Sequence, residues 1–205
     1  MTTPSKVLGK AWADEQRLLR VAKLRANLQT LLGKEPRFTF EIGCGHGHWL
    51  AAYAQKFPEK FCVGIDLITT RIERSNRKQT LGKIANVAFL KAEATEFLDA
   101  LDATHRLQEI FILYPDPWPK KKHHKNRFIN EANLTRLAQH SNEGTRLHFR
   151  TDDVDYFAWA EAHLREHPEW KILGDEIWPF ERVTFFEERM KAKHDLIAEK
   201  CTKRS

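Results

Sequence analysis

Four short apolar runs in the first 116 residues each lead to a carboxylate, and this repetition restricts the fold more than any other feature of the chain. Phe38–Ile42 carries Glu41 beside its end, and Phe61–Ile65 runs into Asp66. Val87–Lys91 is followed two residues later by Glu93, and Ile110–Leu113 leads to Asp116. Between the runs lie stretches with helical patterning, Trp49–Lys56, Thr70–Leu81 and Ala94–Leu101. Short apolar segments alternating with helices predict βαβ units and a buried parallel sheet. Ligands of such sheets bind outside the carboxyl ends of the strands. The fold predicted is α/β, a Rossmann-like sheet with helices on both faces and an antiparallel strand near the C-terminus. Any one of the acids alone is equally well read as a helix cap or a solvated side chain. Four on one sheet edge are a cluster.

The first run continues as Glu41-Ile42-Gly43-Cys44-Gly45-His46-Gly47 before the next helix begins. Glycines tolerate positive φ and let a ligand approach the backbone with no β-carbon in the way. The dinucleotide fingerprint G-x-G-x-x-G is not met, because His48 stands where its third glycine would be. Three glycines in five residues also suit a plain tight turn. Asp66 follows about twenty residues later, where a carboxylate accepts from both hydroxyls of a ribose. A glycine turn ringed by acids suits a cofactor with ribose, adenine and amino-acid ends but no phosphates. S-adenosylmethionine fits that description better than a dinucleotide carrying a pyrophosphate.

The fourth run enters Tyr-Pro-Asp-Pro-Trp-Pro at residues 114–119. Proline fixes φ, lacks a donor and forces its predecessor toward extended conformations, so this loop is stiff. It presents Asp116 and Trp118 at its tip. Lys120, Lys121, Lys122, His123, His124, Lys125 and Arg127 follow, with five full charges in eight residues. Such a run is also the composition of an ordinary solvated loop. At the carboxyl end of a strand it points instead to chemistry on a polyanion, with Trp118 either stacking on a base or bracing the loop. The net charge of +6 agrees with an anionic partner.

At 205 residues the chain is predicted to form one domain, residues 1–205, with a helical extension over 1–35 and a core over 38–189. No apolar run approaches the ~18 residues a membrane span needs, and the first ten residues lack the apolar core of a signal peptide. Cys44, Cys62 and Cys201 show no C-x-x-C spacing, which disfavours a disulfide framework or structural zinc and favours a reducing, cytoplasmic setting. No metal site is expected from His123–His124 or from Cys44, His46 and His48, which lack a suitably spaced third ligand. The apolar spacing of Ala11–Leu32, closed by Gly33, predicts an amphipathic helix with its arginines and lysines facing out. Further on, helices are predicted over Asn130–Gln139 and Tyr156–His167. A fifth strand is predicted over Arg146–Arg150, ending at Thr151-Asp152. Trp170–Leu173 and Thr184–Phe186 are predicted to complete the sheet as a pair.

Taken together, EIGCGHG, Asp66, Glu93, PDPWPKKKHHK, Thr151-Asp152 and TFFEER resemble the bacterial tRNA (guanine-N7-)-methyltransferases over Phe38–Arg189. The PDPWPKKKHHK block is the specific part of the match; the glycine turn is shared with class I methyltransferases generally. Two departures stand out: Asn126 where the family pairs arginines, and no glycine in residues 190–194. The resemblance implies a class I methyltransferase sheet, S-adenosylmethionine as cofactor and tRNA as partner, in a monomer or homodimer. It implies that Glu41, the turn glycines Gly43, Gly45 and Gly47, Asp66, Glu93 and Asp116 hold the cofactor, and that Asp116 is also the catalytic acid. Lys120, Asp152, Thr184, Phe185, Phe186 and Glu187 would contact the tRNA substrate. Lys121, Lys122, His123, His124, Lys125 and Arg127 would grip its backbone.

The implied reaction forms 7-methylguanosine in the tRNA variable loop, and it needs little acid–base machinery. Guanine N7 carries an in-plane lone pair and no proton, which agrees with the absence of a Ser/His/Asp or Cys/His arrangement. Two further readings stand beside it: methylation of another RNA base, and a non-catalytic RNA-binding relative that keeps the fold.

Overall fold

The computed structural model describes residues 4–33, 37–174, 176–182 and 192–203, with side chains from residue 9 onward. Chain order is α1 (Pro4–Leu32), β1 (Arg37–Ile42), α2 (His48–Lys56), β2 (Cys62–Asp66), α3 (Thr69–Leu81), β3 (Val87–Lys91) and α4 (Ala94–Ala100). It continues with β4 (Arg106–Leu113), a 3-10 turn (Lys121–Asn126), α5 (Glu131–Gln139), β5 (Ser141–Thr151), α6 (Val154–Glu166), β6 (Trp170–Leu173) and β7 (His194–Lys200). The strands form one seven-stranded sheet in the order β3-β2-β1-β4-β5-β7-β6. Strands β1 to β5 pair in parallel, and β7 runs antiparallel to both β5 and β6. This is the predicted α/β architecture, with the chain reversing direction outward from β1 so that β1 and β4 lie side by side at the switch point.

Period-two alternation divides the core between the two faces of the sheet. Phe38 and Phe40 of β1 point to one face, where Phe40 stacks on Phe97 of α4 at 4.5 Å. On the other face, Trp49 and Tyr53 of α2 pack against Phe111 of β4. Gly64 sits under α2, where a β-carbon would meet Leu50 Cδ2 at 2.8 Å.

Three expectations change. Helix α1 begins at Pro4 instead of Ala11, and its charges do not all face solvent. Arg17 binds Asp99 at 2.5 Å and Arg20 binds Glu96 at 2.6 Å, so they fasten α1 to α4, while Trp12, Leu18 and Leu19 lie exposed. The buried stripe is Val21, Leu24, Leu28 and Leu32, and a side chain at Gly33 would strike the Gln29 carbonyl at 2.7 Å. Second, the partner of β6 is His194–Lys200; Thr184–Phe186 lies outside the described residues. The missed strand reads His-Asp-Leu-Ile-Ala-Glu-Lys, without the clean alternation that marks a half-buried strand. Third, α6 begins at Val154 instead of Tyr156, capped by Asp153, whose carboxylate accepts from Tyr156 N at 2.6 Å. No helix among the described residues is long and apolar enough to cross a membrane.

Candidate active site

The carboxyl ends of β1, β2, β3 and β4 open onto one cleft of about 350 Å3. Its walls are Ile42 and Gly43 after β1, Asp66 to Ile68 and Arg71 after β2, Ala92 to Ala94 after β3, and Leu113 to Asp116 with Trp118 after β4. Asn126 and Phe128 close the end beside the lysine turn.

The glycine turn is held by backbone bonds that require its unusual conformation. Gly43, Gly45 and Gly47 have φ of 78°, 55° and 65°. Gly43 N and Cys44 N both donate to the Ile65 carbonyl, at 2.9 and 2.8 Å, which straps the turn to β2. Around Gly43 and Gly45 nothing lies within 4 Å of where a β-carbon would be, so a ligand has room against bare backbone. Gly47 is confined instead: a β-carbon there would lie 2.7 Å from the Phe89 ring and 2.8 Å from Ser75 Oγ.

The four acids meet this cleft in different ways. Asp66 is buried, accepting from Gly45 N at 3.1 Å, Ile68 N at 2.8 Å and Arg71 Nη1 at 3.4 Å. Two carboxylate oxygens offer about four lone-pair positions, so capacity remains for a ligand hydroxyl. Glu93 caps α4 by accepting from Glu96 N at 3.0 Å, and its side chain stands on the cleft wall. Asp116 is exposed at the loop tip, with Tyr114 and Trp118 on either side at φ of 50° and 49°. Positive φ in two non-glycine aromatics is backbone strain, which the surrounding loop must hold in place. Glu41 does not line the cleft. It lies beneath the glycine turn, fully buried, with Oε2 unpartnered among the described residues, and burial followed by the nearby Asp66 charge pushes its carboxyl up to about 8.

The lysine turn divides into an exposed part and an anchored part. Lys120, Lys121, Lys122 and Lys125 are exposed. His123 is half-buried, its ring edge-on to Trp118 at 5.8 Å. His124 tucks against Trp159 and lies 3.6 Å from Asp155. Arg127 faces inward, which does not suit the backbone-gripping role expected of it. Its side chain is buried, Nε donates to the Pro117 carbonyl at 2.8 Å, Nη2 meets Asp155 at 2.6 Å, and the guanidinium lies over the Tyr156 and Trp159 rings. Arg127 therefore ties the Pro-rich tip to α6. Asp152 is exposed just beyond β5 and outside the cleft lining. Thr184, Phe185, Phe186 and Glu187 lie outside the described residues. The segment leading to them is fixed by Arg150, which binds Glu181 at 2.8 Å and Asp195 at 2.6 Å and lies 4.0 Å over Trp178.

Sequence reasoning missed Leu67, Ile68 and Arg71, which form the rim beside β2. A signal existed: two large aliphatics directly after a strand-end acid, where solvent exposure favours polar residues, are out of place unless an apolar ligand covers them. Among the described residues, no three His, Cys, Asp or Glu side chains converge as a metal site requires.

A doubly wound sheet whose glycine turn and acidic strand ends share one cleft defines a nucleotide-type cofactor domain. Residues 35–199 match the family described as "Putative methyltransferase", and the chain belongs to that family. It is 36% identical over 144 residues to a tRNA (guanine-N(7)-)-methyltransferase of Drosophila yakuba, a match covering 66% of this chain and 56% of that one. The enzyme of the same name from Syntrophotalea carbinolica is 32% identical over 141 residues, covering 69% and 61%. The chain thus spans less than two thirds of these curated relatives. Among solved structures, TrmN from Thermus thermophilus superposes with a TM-score of 0.57 at 14% identity, covering 86% of this chain and 48% of that one, which is a likeness of fold.

Proposed function

We propose that the protein transfers a methyl group from S-adenosylmethionine to N7 of a guanine in the tRNA variable loop, forming 7-methylguanosine. The observation that carries this reading is the single cleft joining the glycine turn, Asp66 and Glu93 to the strained tip bearing Asp116, beside four exposed lysines. The relatives named above act in their own right as tRNA (guanine-N(7)-)-methyltransferases, which agrees with it.

The residues fit the cofactor. Bare backbone at Gly43 and Gly45 leaves space for its amino-acid end, with the unpartnered Glu41 oxygen beneath. Asp66 and Glu93 are acceptors for ribose hydroxyls and polar adenine atoms, and Leu67 and Ile68 offer an apolar rim. When bound, S-adenosylmethionine supplies a methyl group on a positively charged sulfur. The protein's own task is to exclude water and aim the guanine lone pair, and such alignment contributes on the order of 7–11 kcal/mol. Asp116, fixed at the tip by the Arg127 brace, faces the position where positive charge develops on the purine and favours it electrostatically. Lys120, Asp152 and Thr184 to Glu187 select and hold the substrate nucleotide, and Lys121, Lys122 and Lys125 neutralise backbone phosphates. His123 holds the Trp118 ring in its place on the cleft wall. We place the enzyme in the cytoplasm as a monomer or homodimer; its cysteines Cys44, Cys62 and Cys201 are unpaired.

The test is to incubate the protein with labelled S-adenosylmethionine and unmodified tRNA, digest the RNA and identify the labelled nucleoside. Label in 7-methylguanosine is expected. Label in another nucleoside, or none, overturns the proposal. Asp116→Asn should lower turnover ten-fold or more even with S-adenosylmethionine saturating; wild-type turnover would remove Asp116 from its role.

A further inference from the structure

Helix α3 carries Arg71, Arg74, Arg77 and Lys78 against a single acid, Glu73, and buries only Ile72 and Ser75. Spacings of three and four residues put Arg71, Arg74 and Lys78 on one face, which looks onto the glycine turn. Arg74 Nη1 donates to His46 Nε2 at 3.3 Å, and Lys78 Nζ donates to the His46 carbonyl at 2.7 Å. Arg182, exposed at the end of the segment after β6, brings its charge to the same place. Its positive field adds to burial in lowering both Lys78 and His48. Five cationic or potentially cationic groups therefore gather here: Arg74, Lys78, Arg182, His46 and His48.

Counter-ions are missing. Among the described residues, Arg71 has Asp66, but no carboxylate lies within ion-pair distance of Arg74, Lys78 or Arg182. The neighbouring Glu181 is taken by Arg150 and Lys193. Gathered like charges raise the energy of the folded state, and a bound polyanion offsets that repulsion. We propose that this face of α3, with His46, His48 and Arg182, is a second phosphate-binding surface for the RNA, across the cleft from the lysine turn.

Position supports a nucleic acid over a small anion. The cleft is bounded by Ile68 and Arg71 of the α3 side at one end and by Trp118 and Asn126 of the lysine side at the other. A backbone crossing the mouth of the cleft meets cations on both banks, and Arg182 stands two residues before Thr184, where the substrate segment begins. A role confined to bracing the glycine turn accounts for one donor of Lys78 and one of Arg74. Among the described residues it leaves their remaining donors without an acceptor and gives Arg182 no task.

The inference rests on the RNA-substrate reading, and the experiment separates the two. Wild type, the double variant Arg74→Glu/Arg182→Glu and a variant neutralised at Lys120, Lys121 and Lys122 are compared. tRNA affinity is measured by filter binding from 50 to 200 mM salt, and S-adenosylhomocysteine affinity by calorimetry. The double variant is expected to lose at least ten-fold in tRNA affinity at 50 mM salt. Its salt slope should flatten by about one to two, as roughly 0.9 per lost phosphate contact requires, with S-adenosylhomocysteine affinity within about two-fold of wild type. Wild-type tRNA affinity and slope in the double variant, beside a flattened slope in the lysine variant, overturn the second surface alone. Parallel loss of tRNA and S-adenosylhomocysteine binding also overturns it, as a turn-bracing role. A wild-type protein that binds no tRNA overturns both this surface and the RNA reading.

Discussion

Glu41→Gln should make the protein more stable at alkaline pH while leaving acid stability nearly unchanged. The Glu41 carboxyl is fully buried, and burial with the Asp66 charge moves it from an ordinary 4.5 to about 8. The folded protein thus keeps a proton that the unfolded chain releases near pH 4.5. Between those values the unfolded state binds fewer protons, so stability falls as pH rises, and the loss is complete above pH 8. At 1.36 kcal/mol per tenfold change in acidity, the cost is on the order of 3 kcal/mol at pH 7. Glutamine has the same shape and never ionises, so it escapes this cost. Urea unfolding of both proteins from pH 5 to pH 8.5 isolates the effect, because every other titrating group is shared. The stability gap should widen by roughly 3 kcal/mol from pH 5 to pH 8 in favour of the variant. Parallel curves would show that Glu41 ionises normally in the fold, refuting the account of its buried position.

His148 predicts the opposite limb of the pH profile. It is buried, stacked on Phe111 at 4.5 Å, and burial pushes it down to about 4, so stability should fall as pH drops from 6.5 toward 4. His148→Phe should remove about 2 kcal/mol of the loss between pH 7 and pH 5 in urea unfolding; an unaltered loss would place the transition in other histidines. Arg127→Met should destabilise by about 2 kcal/mol, mainly by stranding the Pro117 carbonyl and losing the contact with the Tyr156 and Trp159 rings. It should also lower methyl transfer more than tRNA affinity. A selective loss of tRNA affinity would instead return Arg127 to the RNA interface.

The sheet and its acidic edge were legible in the sequence because parallel strands are short, apolar and periodic, and because strand ends converge by topology. Asp66, Glu93, Asp116 and the glycine turn meet in one cleft for that reason. What was not legible depended on side-chain direction. Arg127 looks like its neighbours in a charge run, yet the chain turns it inward onto α6. Arg17 and Arg20 look solvated, yet the facing helix α4 presents Asp99 and Glu96. Glu41 sits beside the turn in sequence, but strand alternation sends it beneath. Strand β7 was hidden because Leu196, Ile197 and Ala198 are buried in succession, without period-two alternation, and because the resemblance ended at residue 189.

The central claim is that the cleft between the glycine turn and the Asp116 tip holds the methyl donor. Calorimetric titration of S-adenosylhomocysteine into wild type and Asp66→Ala tests it most directly. One site per chain in the wild type is expected, with binding at least ten-fold weaker once the Asp66 acceptors are gone. Equal affinity in the two proteins would mean that the donor binds elsewhere.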